Sequence, residues 1–361
     1  MDIQQNTLYL LTNGSYVGRD HLTLLVEVPV YPADLPRAER NRQSASETRK
    51  LSVPIHHLES VCVFGQSTVS APALDLCWEH GVAVNFLSEN GHLQARMTGV
   101  ADTSVTLRRT QFRAADDPAK CAAIGRQIVA GKIQNSRNSL LRAGRENEDA
   151  TEQGQLQTVI DALGRQLQYL AGQTDLEKVR GAEGMASQLY FSVLSLTLKQ
   201  QRKEFSFMGR SRRPPRDRIN CLLSFLYALV RHDCVAALTS AGLDPFVGFL
   251  HADRPNRPSL ALDLMEEFRP IIADSVVLNI VNRRRLLTAQ DFQEELGGAV
   301  YLRPEARKTF YAKFEERLQE EIQHPHFGYR TSYRRCMELQ VRLLGKWLTG
   351  EIPAYLPFNV R

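Results

Sequence analysis

Hydrophobic and polar positions change rhythm once along the chain, near residue 100. Before that point, short β-rich runs alternate with turn residues. Thr7-Leu-Tyr-Leu-Leu-Thr is one such run, and it stops at Asn13-Gly14, a dipeptide suited to a hairpin turn. Ser15–Gly18 and His21–Val28 read as the next strands, and Leu51–Ile55 and Ser60–Gly65 as later ones. Val82–Leu87 and His92–Met97 finish the series on either side of the turn-like Glu89-Asn90-Gly91. Pro72–His80 reads as one short helix. Pro29, Pro32 and Pro36, followed by charged sequence to Lys50, read as a mobile loop.

From Asp117 the spacing turns helical. Pro118 suits a helix start, and Cys121, Ile124, Ile128 and Ile133 mark an apolar face that Leu140-Leu141 extends. Glu146–Gln153 is polar and reads as a connection. Gln155–Gln168, Leu176–Leu198 and the strongly apolar Cys221–Leu238 predict further helices. Ile271–Asn282 and Pro304–Trp347 complete a helical lobe, and the tail after Gly350 should be extended. The pattern predicts an α+β chain with a strand domain over residues 1–100 and an α-helical domain over 101–361.

A length of 361 residues allows two domains, and 43% hydrophobic residues supports ordinary soluble cores. Lys and Arg number 45 against 40 Asp and Glu, a net charge of +5 that permits nucleic-acid binding without showing it. The six cysteines are scattered and form no CxxC pair, which argues against a zinc ribbon or a redox dithiol and fits a reduced, intracellular protein. The start MDIQQNTLYLL lacks the basic, then apolar, build of a signal peptide. No uninterrupted apolar stretch approaches the roughly 20 residues that span a bilayer. A cytoplasmic protein with no membrane partner is expected.

The chemistry concentrates in Ala241–Pro270. His251 ends the apolar run Pro245–Leu250, so a rigid base should present it. Ser259 could cap the next helix, in which Leu260, Leu264 and Phe268 recur on one face. Asp263, Glu266 and Glu267 share the other face. An imidazole with carboxylate oxygens suits Mg2+ or Mn2+ better than structural zinc. The same spacing also describes a buried helix with a solvated acidic face and a hydrogen-bonded histidine. Glu183, among the small residues Gly184 and Ala186, is a candidate for a buried carboxylate from another helix, or a surface glutamate.

The most basic stretch, Gln201–Arg218, carries Arg210, Arg212, Arg213, Arg216 and Arg218, with Phe205 and Phe207 interleaved. Guanidinium groups suit the phosphates of a DNA duplex, while a solvated loop or salt-bridge cluster has the same composition. Lys132, Arg137 and Arg142 read as a solvated basic helix face. GxxxxGK[ST], GxSxG and HExxH motifs are absent.

AEGMAS around Glu183, then RRPPRDRINCLLSFLYALV, then GLDPFVGFLHADRPNRPSLALDLMEEFRP resemble the CRISPR-associated protein one family, metal-dependent DNA endonuclease/integrases of spacer acquisition. VPIHHLESVCVFG, VSAPALDLC and GVAVNFLSENG carry the likeness into the amino-terminal half, which looks closest to subtype I-C members. The resemblance implies an amino-terminal β-sandwich-like lobe followed by a larger, all-α catalytic lobe. It puts Glu183, His251 and Glu266 in the role of metal ligands for Mg2+ or Mn2+, with Asp263 as a supporting acid. Many relatives have aspartate where Glu266 stands. The resemblance also implies a homodimer that joins the small CRISPR-associated protein two, captures double-stranded DNA and inserts it into a repeat array by transesterification. His251 must be neutral to bind metal, so activity is expected to fall in acid. Two other readings stay open: a non-catalytic DNA-binding scaffold, and a metal phosphohydrolase acting on small nucleotides.

Overall fold

Runs of Val, Leu and Ile with period two build sheets at the start of the chain, and a period near four builds helices afterwards. This computed structural model describes the chain except residues 1, 5–6, 32–46, 89–92, 98–104, 212–213, 284–287, 296 and 361, with backbone alone at 2–4, 93 and 304. Contacts divide it into two compact units, Met1–Ala101 and Asp102–Arg361.

The first unit holds strands β1 (Asp2–Gln4), β2 (Thr7–Leu10), β3 (Tyr16–Asp20), β4 (Thr23–Val30), β5 (Glu47–Pro54), β6 (Ser60–Phe64) and β7 (Thr68–Val69). Helix α1 (Ala71–Glu79), β8 (Ala83–Leu87) and β9 (Leu93–Met97) follow. One sheet has the order β1-β2-β6-β8-β9, and the other β5-β4-β3-β7. They share one core: Leu8, Leu10, Val61, Val63 and Val84 come from the first sheet, and Val17, Leu24, Val26 and Val53 from the second. Ala73, Leu76 and Cys77 of α1 join it. The unit is therefore a sandwich-like pair of layers, as the resemblance implied.

Asn13-Gly14 turns the chain but makes no hairpin. Gly14 N donates to Gln66 O at 2.6 Å, and Gln66 N donates to Asn13 Oδ1 at 3.1 Å. β2 is buried at every position, so it needs a neighbour on each edge and two covered faces. It takes β1 antiparallel and β6 parallel, while β3 goes to the other sheet. The proposed loop Pro29–Lys50 is shorter than expected, because Val30 pairs with Glu47 and Glu27 with Lys50. Its centre, and the turn at Glu89–Gly91, lie outside the described residues.

The second unit is largely helical. Its helices are α2 (Val105–Ala115), α3 (Pro118–Arg145), α4 (Ala150–Ala171), α5 (Leu176–Ser192), α6 (Arg218–Ser240), α7 (Ser259–Phe268), α8 (Ser275–Asn282), α9 (Pro304–Gln319) and α10 (Tyr333–Leu348). Aspartates start four of them: Asp117, Asp149, Asp175 and Asp217 each accept from backbone N–H groups of the first turn. The lobe is not all-α. β10 (Phe292–Glu295) pairs with β11 (Ala299–Leu302), and β12 (Glu321–Gln323) with β13 (Arg330–Ser332). Gly297 and Gly298, at φ +99 and +75, make the first of these ribbons possible.

α3 runs through the unit and packs on α4, α5 and α7. Its apolar stripe is buried along Cys121, Ile124, Ile128, Ile133 and Leu140. Contrary to expectation, α6 is long and apolar enough to cross a membrane by composition. Arg231 and Asp233 interrupt the run that the sequence reading sought. Here 61% of its most apolar window is buried inside the unit, as for the core helix of a globular domain. All six cysteines are buried, and none is in a disulfide.

Candidate active site

The loop before α7 is built around Asp263. This carboxylate is fully buried and accepts from the backbone N–H groups of Phe249 (2.7 Å), Leu250 (3.0 Å) and His251 (2.9 Å). A Cβ on Gly248 would lie 2.8 Å from Ser259 and 2.9 Å from Asp263 Oδ2, so the loop approaches the helix only because that residue is glycine. The same Asp263 accepts from His251 Nδ1 at 2.7 Å. That bond fixes the ring and leaves Nε2 as the free ligand atom. The rigid base beneath His251 is thus a buried carboxylate as well as the apolar run. Ser259 does not cap α7; its hydroxyl donates to Ala252 O at 3.1 Å instead.

Glu183 on α5 and Glu266 on α7 meet at Lys132 of α3. Lys132 Nζ forms an ion pair with Glu183 Oε1, lies 2.7 Å from Glu266 Oε2 and donates to Ser187 Oγ at 2.9 Å. Ser187 Oγ in turn donates to Glu183 at 2.9 Å. The Lys132 side chain is 3% exposed and that of Glu266 5% exposed, so neither charge is solvated. On the far oxygen of Glu266, Arg269 Nη1 stands at 3.3 Å. Burial opposes ionisation of Glu266, yet Arg269, Lys132 and His251 together draw its carboxyl down to about 2. Burial likewise opposes the charge on Glu183; Lys132 outweighs it, and the carboxyl stays below its ordinary value despite Glu266 nearby.

Glu183 and Glu266 therefore share one cation, and His251 is near enough for its charge to act on Glu266. Among the described residues, however, no three His, Cys, Asp or Glu groups converge as a ready metal cage. A lysine ammonium stands among the acids instead. The acidic face of α7 is not solvated: Asp263, Glu266 and Glu267 are all buried. Gly184 faces open space, so the close approach of α5 comes from buried Ala182 and Ala186.

Sequence reasoning missed Lys132 and Arg269. Lys132 was read as part of a solvated face, but it lies four residues after Ile128, on the apolar stripe of α3. A cation on such a stripe has to find an acid. Arg269 follows Glu266 by three residues, a spacing that pairs side chains on a helix. Its guanidinium lies 5.0 Å from the Tyr227 ring centroid, and Tyr227 OH donates to Asp274 at 2.7 Å.

In the basic stretch, Arg210 donates to Asn220 Oδ1 at 2.7 Å and Ser224 Oγ at 3.1 Å, and lies 5.1 Å from the same Tyr227 ring. Arg218 donates to Glu204 O. Arg216 is exposed, and Arg212 and Arg213 lie outside the described residues. The interleaved aromatics belong to the core: Phe205 packs on Phe292 at 5.6 Å and Phe207 on Phe191 at 6.1 Å.

With this geometry in place, similarity to known proteins adds the family. The model for "CRISPR associated protein Cas1" matches residues 8–316. The CRISPR-associated endonuclease Cas1 1 of Chlorobaculum tepidum is 40% identical over 353 residues, spanning 98% of each chain. Among solved structures, a casposase bound to integration product aligns with a TM-score of 0.80 at 22% identity, over 97% of this chain and 92% of that one. A Cas6-RT-Cas1–Cas2 complex aligns with a TM-score of 0.76 at 22% identity, over 100% of this chain and 37% of that one. The chain belongs to the Cas1 family of CRISPR-associated proteins.

Proposed function

We propose that this chain is a divalent-metal-dependent DNA endonuclease and integrase of CRISPR adaptation. The observation that carries the reading is the meeting of Glu183 and Glu266, from separate helices, at one buried cation beside a histidine aimed by Asp263. The name of the Chlorobaculum relative and the integration product held by the casposase support it. The Cas6-RT-Cas1–Cas2 complex supports a Cas2 partner; a homodimer as the assembling unit, and the small size of that partner, rest on the family resemblance alone. The likeness to subtype I-C members rests on the amino-terminal motifs alone.

The donor set fits Mg2+ or Mn2+: two carboxylates and a neutral imidazole, with Nδ1 of the ring already bonded to a carboxylate. Glu183, Glu266 and His251 Nε2 would hold the ion, which would supply polarisation of a phosphoryl oxygen and stabilisation of developing charge. Asp263 keeps the His251 ring in one tautomer and one orientation. Arg269 holds the second oxygen of Glu266, so that carboxylate cannot rotate freely. In strand transfer, the 3′-hydroxyl of the incoming DNA attacks a repeat phosphodiester. The attacking hydroxyl gives up its proton as a new phosphorus–oxygen bond forms, the old bond to the repeat 3′-oxygen breaks, and that oxygen takes up a proton and leaves as a hydroxyl, so no net proton is gained or lost. With water as nucleophile, the same arrangement cleaves DNA.

Replacing Glu266 with alanine and assaying Mn2+-dependent strand transfer beside DNA binding tests this. Transfer should be lost while binding persists. Unchanged transfer would remove Glu266 from the chemistry, and wild-type protein that binds DNA without any transfer would favour the non-catalytic scaffold. Competition by mononucleotides as strong as that by duplex DNA would favour a small-nucleotide phosphohydrolase.

A further inference from the structure

Glu183 and Glu266 already have cations beside them. The buried carboxylate of Glu266 and the half-buried one of Glu183 face two cations, Lys132 and Arg269. Adding a divalent ion to the same two carboxylates, with both basic groups in place, would crowd three cations round them, although Lys132 and Glu266 lie out of reach of water. Such crowding is costly at low dielectric. One of the basic groups has to let go.

Arg269 is poorly placed to move. It is buried, touches the outer oxygen of Glu266 and lies over the Tyr227 ring. Lys132 is the opposite case. It sits between the two carboxylates, bonding the oxygens of both, and carries a flexible four-carbon stem. It also donates to Ser187 Oγ at 2.9 Å, a neutral partner that it can keep when a carboxylate is given up.

We propose that Lys132 is a placeholder for the divalent ion: its ammonium and the metal exclude each other at the Glu183–Glu266 pair. Metal entry releases Lys132 from at least one carboxylate. The lysine keeps the two acids together while the ion is away, which explains how like charges from separate helices stay adjacent in its absence. This rests on the metal reading above, and its test separates the two.

Mn2+ affinity is measured by calorimetry for the full-length wild type and for K132Q, with thermal melts in chelator and in excess Mn2+. K132Q should bind Mn2+ at least about tenfold more tightly, because no resident cation competes. Its melting temperature should fall in chelator and recover in Mn2+ by more than the wild type gains. Equal or weaker Mn2+ binding by K132Q would overturn the placeholder and leave the metal site standing. No Mn2+ binding by either protein would remove both. Should K132Q not fold, reductive methylation of the wild type, read by mass spectrometry, decides the matter. Lys132 should become more reactive when Mn2+ is added; unchanged protection would overturn the proposal.

Discussion

Glu266 and Glu267 are neighbours on α7, both buried, and their surroundings differ in every respect that matters. Glu266 faces Lys132, Arg269 and His251, and its carboxyl is drawn down to about 2. Among the described residues, no cation pairs with Glu267. It accepts from the Tyr355 hydroxyl at 2.7 Å, Gln340 Nε2 at 3.2 Å and Phe358 N at 2.6 Å. Burial pushes its carboxyl up to about 7 against those three donors. One residue belongs to a charged site centred on Lys132. The other ties the carboxy-terminal tail to the core, and Asn135 supports it by donating to Glu267 O at 2.8 Å and Phe358 O at 2.7 Å. A step of one residue along a helix rotates the side chain by about 100°, and here that rotation separates chemistry from architecture.

The comparison breaks first on activity. E266Q should lower Mn2+-dependent strand transfer by about a thousandfold, the scale of losing a charged transition-state support. E267Q should leave transfer near the wild-type rate. A large loss in E267Q, measured on protein of native melting behaviour, would erase the distinction.

Stability should reverse the ranking. E267A leaves three donors without their acceptor and should cost about 3 kcal/mol in urea unfolding. The two acids should also give opposite pH slopes. The folded carboxyl of Glu267, at about 7, lies above its ordinary 4.5, so the folded chain holds a proton that the unfolded chain has released. Its contribution is most favourable below 4.5 and is lost as pH rises through about 7, by up to about 3 kcal/mol. Glu266 lies below 4.5, so its stabilisation is present above that pH and is lost as pH falls toward about 2. Removing the carboxyl in E267Q should flatten the neutral-range slope alone, and E266Q the acid-range slope alone. Urea midpoints across both ranges check this.

Much of the fold was legible because its signals are local. Asp117-Pro118 and the stripe from Cys121 to Leu140 gave the start and buried face of α3. α2 escaped because only Gln111 and Ala114 are buried among its described residues, too little for an apolar stripe. The second ribbon interrupts the stretch from Pro304 to Trp347 that read as part of a helical lobe; Pro325 and Gly328 mark the break. In the site, the residue types around His251 were readable, but their division of labour was not. Asp263, Glu266 and Glu267 look alike as spacing. Only tertiary contacts show that the first orients His251, the second meets Lys132 and the third holds the tail. Lys132 was misread because charge on a helix usually means solvent, and the acids that bury it lie far along the chain.

Asp263 gives a smaller test of the same division. It acts on His251 through a hydrogen bond, so D263N should weaken Mn2+ affinity by about 10- to 100-fold. E267Q should not alter it. Calorimetry with Mn2+ alone reads this without any assay of turnover. Equal affinities in D263N and wild type would make the Asp263–His251 bond architectural.

The basic loop poses the problem of the two glutamates again, in arginines. Arg210 is held inside by Asn220, Ser224 and the Tyr227 ring, whereas Arg216 is exposed, with its backbone N–H donating to Ser211 Oγ at 3.0 Å. R210A should therefore lower the melting temperature, and R216A should not. R216A should instead weaken duplex DNA binding a few-fold at every sequence and reduce the slope of log affinity against log salt by about 1, because one fewer counterion is released. Replacing Arg212, Arg213 and Arg216 together should make the slope shallower still. Sequence-independence matters as much as size, since a contact to phosphate carries no base information. A triple variant that binds with the wild-type salt slope would assign these arginines to packing or to a protein partner, and the exposed member of the loop would then differ from Arg210 in position but not in kind.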